Sequence, residues 1–232
     1  MNNNLSVIIP VLNEEENLKK LIPYLTSCLD STDEIIIVDG GSVDNSKGAI
    51  TESNNIKWLN SKKCSRASQL NLGAINANND ILYFLHADAR PPTCFKKSII
   101  KALENGHRMG GFKMKLKPRS RLSFLRINSY LSGKKGFFTG GGDQSLFIRK
   151  SDFESSGGFN ERYSIMEDFE FYHQNLNIYG YHIIQKEIKV SSRKYKNNIW
   201  LWVNFINGVA LIRFFMGHNP EKIKSFYYKM LK

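Results

Sequence analysis

The 232 residues, 41% of them hydrophobic, fit one α/β domain with a sizeable core, and no linker divides them. A formal net charge of +12 points to an anionic partner such as a nucleotide, a nucleic acid or an acidic lipid surface, with a merely solvated basic surface as the plain alternative. The three cysteines, Cys28, Cys64 and Cys94, are scattered and out of metal-ligand spacing, which excludes a disulfide scaffold and suits reduced thiols in the cytosol.

Met1-Asn2-Asn3-Asn4 lacks the basic stretch and long apolar core of a secretory signal, so the expected location is the cytoplasm. Leu5 to Val11 is a short apolar run closed by Asn13-Glu14-Glu15-Glu16, and Leu18, Leu21, Ile22, Leu25 and Leu29 then recur at helical spacing. The spacing predicts strand, turn and helix, with Asn13 as the helix cap and the glutamates at the positive end of the helix dipole. Their place at a strand end keeps a ligand role open for Asn13 and Glu14.

Glu34 to Val38 is a second apolar strand ending in Asp39-Gly40-Gly41-Ser42. Paired glycines let backbone approach a ligand, and a strand-end carboxylate such as Asp39 can bind ribose hydroxyls; an ordinary tight turn with Asp44 as a cap is the alternative. Ile56 to Leu59 reads as a third strand, and Ala67, Leu70, Ala74 and Ala77 as a small-residue helix. Lys62, Lys63 and Arg66 precede or open that helix, where free N–H groups and the dipole favour an anion.

Ile81 to Leu85 is an unbroken apolar run, as expected of a strand covered on both faces, and it stops at His86-Ala87-Asp88 before Pro91-Pro92. It delivers Asp88 to the carboxyl end of the sheet, where open α/β sheets bind ligands. Thr93 is placed to cap a helix over 94–104. Met109 to Leu116 alternates like a strand, and Arg119 to Leu131 reads as a basic helix. Gly140-Gly141-Gly142-Asp143-Gln144 then leads into the strand-like Ser145 to Ile148.

Ile165-Met166-Glu167-Asp168 precedes a helical pattern of Phe169, Tyr172, Leu176 and Tyr179 that Gly180 stops. Glu167 and Asp168 fall in its first turn, either as dipole partners or, for Asp168, as a general base. Tyr181 to Val190 reads as strand and Ser191 to Lys196 as a basic loop. Ile199 to Met216 is rich in aromatic residues but interrupted by Asn204, Asn207, Gly208 and Arg213, which favours a helix packed on the domain or lying in a membrane interface over a spanning one. Pro220 opens a last amphipathic helix.

Val7-Ile8-Ile9-Pro10-Val11-Leu12-Asn13-Glu14, Ile37-Val38-Asp39-Gly40-Gly41-Ser42, Leu85-His86-Ala87-Asp88 and Met166-Glu167-Asp168, in that order, resemble the motifs of family 2 glycosyltransferases, and especially a small bacterial subgroup with a Leu-His-Ala-Asp centre and a Gly-Asp-Gln segment. The resemblance implies a GT-A fold in residues 1–196, a single α/β domain with a mostly parallel central sheet flanked by helices, and C-terminal helices in 197–232. It further implies an inverting, single transfer from a nucleotide-diphosphate sugar, UDP-sugar by default, since the Gln-x-x-Arg-Trp signature of processive synthases is missing. Pro10, Asn13, Glu14, Asp39, Gly41, Arg66, His86 and Ala87 would hold the donor, with Arg193 also reaching phosphate. Asp88 would bind Mg²⁺ or Mn²⁺ on the diphosphate, and Asp168 would deprotonate the acceptor hydroxyl. Gly142, Asp143, Gln144 and Glu167 would border the acceptor, expected to be lipid-linked or amphiphilic. His86 stands where many relatives carry an acid, and packing or hydrogen bonding is ranked above ligation for it.

Two other readings are weighed against this. A sugar nucleotidyltransferase should open with a glycine-rich, arginine-containing loop, where this chain has Leu12-Asn13-Glu14-Glu15. A non-catalytic basic module would bind RNA or membrane through charge; recognition of a specific nucleic acid is not expected, and peripheral contact with the inner face of the cell membrane would run through the tail helix.

Overall fold

The computed structural model describes residues 3–51, 53–116, 130, 132–134, 139–191 and 198–231. Most of the predicted helix over 119–131 and the basic loop with Arg193 lie outside the described residues.

Strands β1 (Leu5–Val11), β2 (Glu34–Asp39), β3 (Ile56–Asn60), β4 (Ile81–Phe84), β5 (Ala89–Arg90), β6 (Met109–Leu116), β7 (Leu146–Arg149) and β8 (His182–Val190) form one sheet in the order β3-β2-β1-β4-β7-β6-β8-β5. Pairing is parallel from β3 through β4 and between β6 and β8; only β7 and β5 run against the rest. The expected α/β architecture with a mostly parallel central sheet is therefore present. Strand β5 is an addition that two residues could not announce: it pairs with the end of β8 and ties the segment after Asp88 to that strand.

Helices cover both faces, which explains why the central strands are apolar throughout rather than alternating. Val7, Ile9, Ile35 and Ile37 face helices α1 (Glu15–Thr26) and α3 (Phe95–Glu104) through Leu18, Leu25, Phe95 and Ile99. Ile8, Ile36 and Val38 face α2 (Arg66–Ile75), α4 (Lys150–Ser155) and α5 (Glu167–Tyr179) through Ala67, Leu70, Phe153 and Phe171. The alternation expected for Met109 to Leu116 is absent for the same reason: Met109 to Phe112 are all buried.

The chain closes with α6 (Trp200–Phe215) and α7 (Pro220–Met230), an adjacent helix pair capped at Asn219, whose Oδ1 accepts from Glu221 N at 2.9 Å. Ala210 and Ile223 bury Ile165 between them, with Met166, Phe214 and Tyr227 alongside. The pair thus packs directly on the residues that lead into α5.

Helix α2 lies unusually close to the sheet because Gly73 carries no side chain: a Cβ there would sit 2.4 Å from Ile8 Cγ2 and 3.2 Å from Val38 Cγ2. Gly→Ala inside an exposed helix is ordinarily favourable by about 1 kcal/mol. At Gly73 the sign reverses, and Gly73→Ala should lose about 1–3 kcal/mol through overpacking, seen as a lower urea midpoint. An unchanged or higher midpoint would contradict this packing.

Candidate active site

From β1 the chain builds outward through β2 and β3, then returns to place β4 on the other side of β1, so the strand order reverses between β1 and β4. Such a switch point opens a crevice at the carboxyl ends of the strands. Here β4 pairs with β1 only as far as Phe84 opposite Ile8. Pro10, beyond that point, pairs with Val38 of β2 alone, so its missing N–H breaks no ladder on the β4 side.

The loops after β1 and β2 are locked together on one flank of the crevice. Asn13 does not cap α1; it adopts a left-handed backbone with φ 57°, donates its N–H to Ser42 Oγ at 2.8 Å and accepts from Val43 N at 2.8 Å through Oδ1. Glu14 takes the cap position without a side-chain cap bond. An asparagine tolerates both geometries, so the cap expected from sequence gives way to the bridge.

The Asp39 carboxylate accepts from Gly41 N, Ser42 N and Ser42 Oγ, holding the paired-glycine turn open at Gly41, φ 100°. Beneath both loops Gln69, buried on α2, donates through Nε2 to Val11 O at 2.8 Å and Val38 O at 2.7 Å. Sequence reading missed Gln69; its one signal was an amide in an otherwise small and apolar helix face.

On the opposite flank His86 and Asp88 are both half-buried, with Ala87 between them buried. Ala89 N donates to His86 O at 3.1 Å and Ser191 N to Asp88 O at 3.3 Å, fixing this turn to the end of β8. Arg66, first residue of α2, reaches across: its Nη1 lies 3.4 Å from His86 Nε2 and its Nε 3.0 Å from Glu167 Oε1. Glu167 holds the Arg66 guanidinium firmly in its charged form, with Asp168 and Asp143 adding to the effect.

Met166, at φ 63°, turns the chain sharply into α5. Glu167 then points inward with 0% of its side chain exposed, while Asp168 lines a cavity with His86, Gly140, Ser145, Tyr172 and Tyr181. Glu167 therefore lies beneath the site rather than on the acceptor side where the sequence put it. Burial, the neighbouring Glu167 charge and, less strongly, Asp143 push the Asp168 carboxyl up to about 7, against the pull of Arg66 and of the Phe169 N–H.

The glycine run is a close-packed turn. Gly142–Gln144 form a 3-10 turn, and Gln144, buried, accepts from Gly140 N at 2.9 Å and donates to Ser132 O at 2.6 Å. Its amide is thus turned into the loop instead of toward an acceptor. Gly140, at φ 92°, admits Tyr172, whose Cγ would stand 2.3 Å from any Cβ placed there.

The structure thus gathers Arg66, His86, Glu167, Asp168 and, through its charge, Asp143 on one side of the crevice, with Pro10, Asn13, Glu14, Asp39 and Gly41 on the other. Arg193 lies outside the described residues. Replacing Gln69 by Leu keeps the volume but removes the amide that ties Val11 O to Val38 O, leaving Val11 O with Gly40 N as donor, so a loss of about 1 kcal/mol is expected in thermal or urea unfolding. No loss would show that the loops do not depend on this amide.

The chain is 26% identical over 200 residues to the dolichyl N-acetyl-α-D-glucosaminyl phosphate 3-β-D-2,3-diacetamido-2,3-dideoxy-β-D-glucuronosyltransferase of Methanococcus voltae, covering 73% of this chain and 60% of that protein. It is 32% identical over 118 residues to the undecaprenyl-phosphate 4-deoxy-4-formamido-L-arabinose transferase of Proteus mirabilis, covering 47% and 36% respectively. The chain spans 36% to 60% of the length of these curated relatives. Among solved structures, S. aureus TarS 1–349 in complex with UDP shares the fold with a TM-score of 0.63 at 15% identity, over 98% of this chain and 70% of that one. The family model for glycosyl transferase family 2 matches residues 6–152, and the chain belongs to that family.

Proposed function

We propose that the protein transfers a single sugar from a nucleotide-diphosphate sugar, UDP-sugar in the first instance, to an acceptor hydroxyl with inversion at the anomeric carbon. The observation that carries this reading is Asp168, set in the wall of the cavity that His86 also lines, with an acidity suited to taking a proton near neutral pH. In this reading Pro10, Asn13, Glu14, Asp39, Gly41, Arg66, His86 and Ala87 hold the donor in the β1–β4 crevice, residues 1–196 form the catalytic domain and 197–232 its extension. The structure of TarS with UDP supports the choice of nucleotide.

Among the described residues no three His, Cys, Asp or Glu side chains gather into a metal-binding group. This donor set fits a Mg²⁺ or Mn²⁺ ion that arrives with the diphosphate, because such ions keep several waters and take one or two carboxylates beside substrate phosphates. Asp88, at the crevice, would be that carboxylate. When bound, the ion supplies positive charge against the negative charge growing on the leaving diphosphate.

Asp168 takes the proton of the acceptor hydroxyl as its oxygen bonds to the anomeric carbon and the bond from that carbon to the diphosphate breaks on the opposite face. Arg66 and His86 bring positive charge and hydrogen-bond donors to the diphosphate side.

The acceptor is proposed to be lipid-linked or amphiphilic, since the relatives above are named for dolichyl and undecaprenyl phosphate substrates. Leu201, Phe205, Ile212 and Phe215 are exposed at helical spacing along α6, and Arg213, Lys222, Lys224, Lys229 and Lys232 outnumber the single acid Glu221 in 197–232. No helix among the described residues is long and apolar enough to cross a membrane. An apolar face with basic flanks suits peripheral contact with an anionic lipid surface, such as the inner face of the cell membrane.

Asp168→Asn should lower UDP-sugar turnover by at least 10²-fold with the fold intact, and Asp88→Asn should abolish its metal dependence. Because the base works only when ionised and its carboxyl titrates near 7, wild-type kcat/KM should rise with pH through about 7 and fall about tenfold per unit below it. Full turnover in both variants would overturn these roles.

The 232-residue chain should sediment with vesicles containing anionic lipid, less so at high salt, and Phe205→Ser with Ile212→Ser should weaken this several-fold without changing the melting temperature. Equal binding by the variant would sink the membrane contact.

A further inference from the structure

We infer that Glu167 and Arg66 form an opposed pair of positioning residues about Asp168, Glu167 acting from inside the fold and Arg66 from the cavity side. This rests on the assignment of Asp168 as the base, and it goes beyond that assignment by giving Glu167 a role of its own.

Three observations carry it. Glu167 is fully buried, and neither of its carboxylate oxygens accepts a hydrogen bond; the Arg66 Nε 3.0 Å from Oε1 is an ion-pair contact without hydrogen-bond geometry. A buried carboxylate with unfilled lone pairs is costly, and proteins rarely keep one where only helix-end charge is needed, since an exposed acid would serve α5 as well. Glu167 is next in sequence to Asp168, and the left-handed Met166 fixes which of the two turns inward. Arg66 is anchored on a different element, α2, and its other end meets His86, so the pair spans the cavity from α5 to β4. Removal of Glu167 would therefore release Arg66 as well as a charge beside Asp168.

The groups that face Asp168 are Glu167 and Tyr172 on α5, Arg66 on α2, Asp143 on the glycine turn, Tyr181 just before β8 and His86 after β4. Glu167 raises the Asp168 carboxyl and Arg66 lowers it, so the two substitutions have opposite signs.

The test is an NMR titration of Asp168 in the 232-residue chain, with the aspartate carboxyl carbons labelled and Asp168→Asn identifying the signal. Glu167→Gln should move its midpoint down by about one pH unit, and Arg66→Gln should move it up by about as much. In the double variant the effect of Glu167→Gln should shrink, because part of it runs through Arg66. Should Glu167→Gln fail to fold, Arg66→Gln and Arg66→Lys, whose charge is on a partly exposed side chain, decide the matter, with Lys restoring the wild-type midpoint. Midpoints that stay within 0.2 units, or shifts of the same sign, would overturn the pairing, since a purely structural role would change melting alone. The titration needs no substrate: shifted midpoints in a protein without transferase activity would retire the proposed function and keep the pair, while full activity with fixed midpoints would do the reverse.

Discussion

Everything at the site follows from where β1 loses its partner. Beyond Ile8 the strand still has β2 on one side, but β4 has ended, and the backbone that would have paired must find other partners or a ligand. Pro10 meets this constraint by lacking the donor, and Gln69 adds a tie from α2 between the two strand ends, to Val11 O, which Gly40 N also reaches, and to Val38 O of β2. Gly73, by letting α2 lie tight against Ile8, brings Gln69 and Arg66 within reach of the crevice. A packing constraint in the core thus determines which polar groups arrive at the surface above it.

Charge is arranged around that crevice in two registers. The β1 and β2 loops satisfy their own carboxylate and amides, Asp39 with its glycine turn and Asn13 with the Ser42–Val43 backbone, so this flank is rigid before any ligand comes. The β4 and α5 flank instead keeps charges in tension: a buried glutamate, an arginine shared with a histidine, and an aspartate whose proton is held near neutrality. A hydrogen-bonded flank on one side and a buried, raised carboxyl on the other are the division of labour that the proposed hydroxyl transfer would use. Ser145 and Met166, both at positive φ, sit on this second flank, where Tyr181 Oη donates to Ser145 O at 3.5 Å and Met166 packs with Phe214 and Tyr227.

The strands were legible because a sheet covered on both faces writes itself as apolar runs, and the helices because Leu18 to Leu25 and Phe169 to Tyr179 keep the 3.6 period. The motif order located Asp39, His86, Asp88 and Asp168 at strand and helix ends. What remained hidden depends on three-dimensional contact. Asn13 caps helices and tolerates left-handed backbone equally well, so only the position of Ser42 decides between the two. Gln144 and Glu167 look like site residues in a motif but are turned inward by the backbone at Gly140 and Met166. Neighbours on a helix point about 100° apart, so Glu167 and Asp168 could not both face the cavity, and the sequence does not say which one does. Strand β5, two residues long, has no pattern to detect.

The central claim is that the β1–β4 crevice receives a nucleotide diphosphate with a divalent ion at Asp88. Calorimetric titration of UDP and of GDP, with and without Mn²⁺, into wild type and Asp88→Asn tests it directly. The account predicts saturable UDP binding that is strengthened by Mn²⁺ in wild type and indifferent to Mn²⁺ in Asp88→Asn. Absence of binding by either nucleotide under every metal condition, in a protein that melts cooperatively, would contradict it and leave a family 2 fold acting through its basic surface alone.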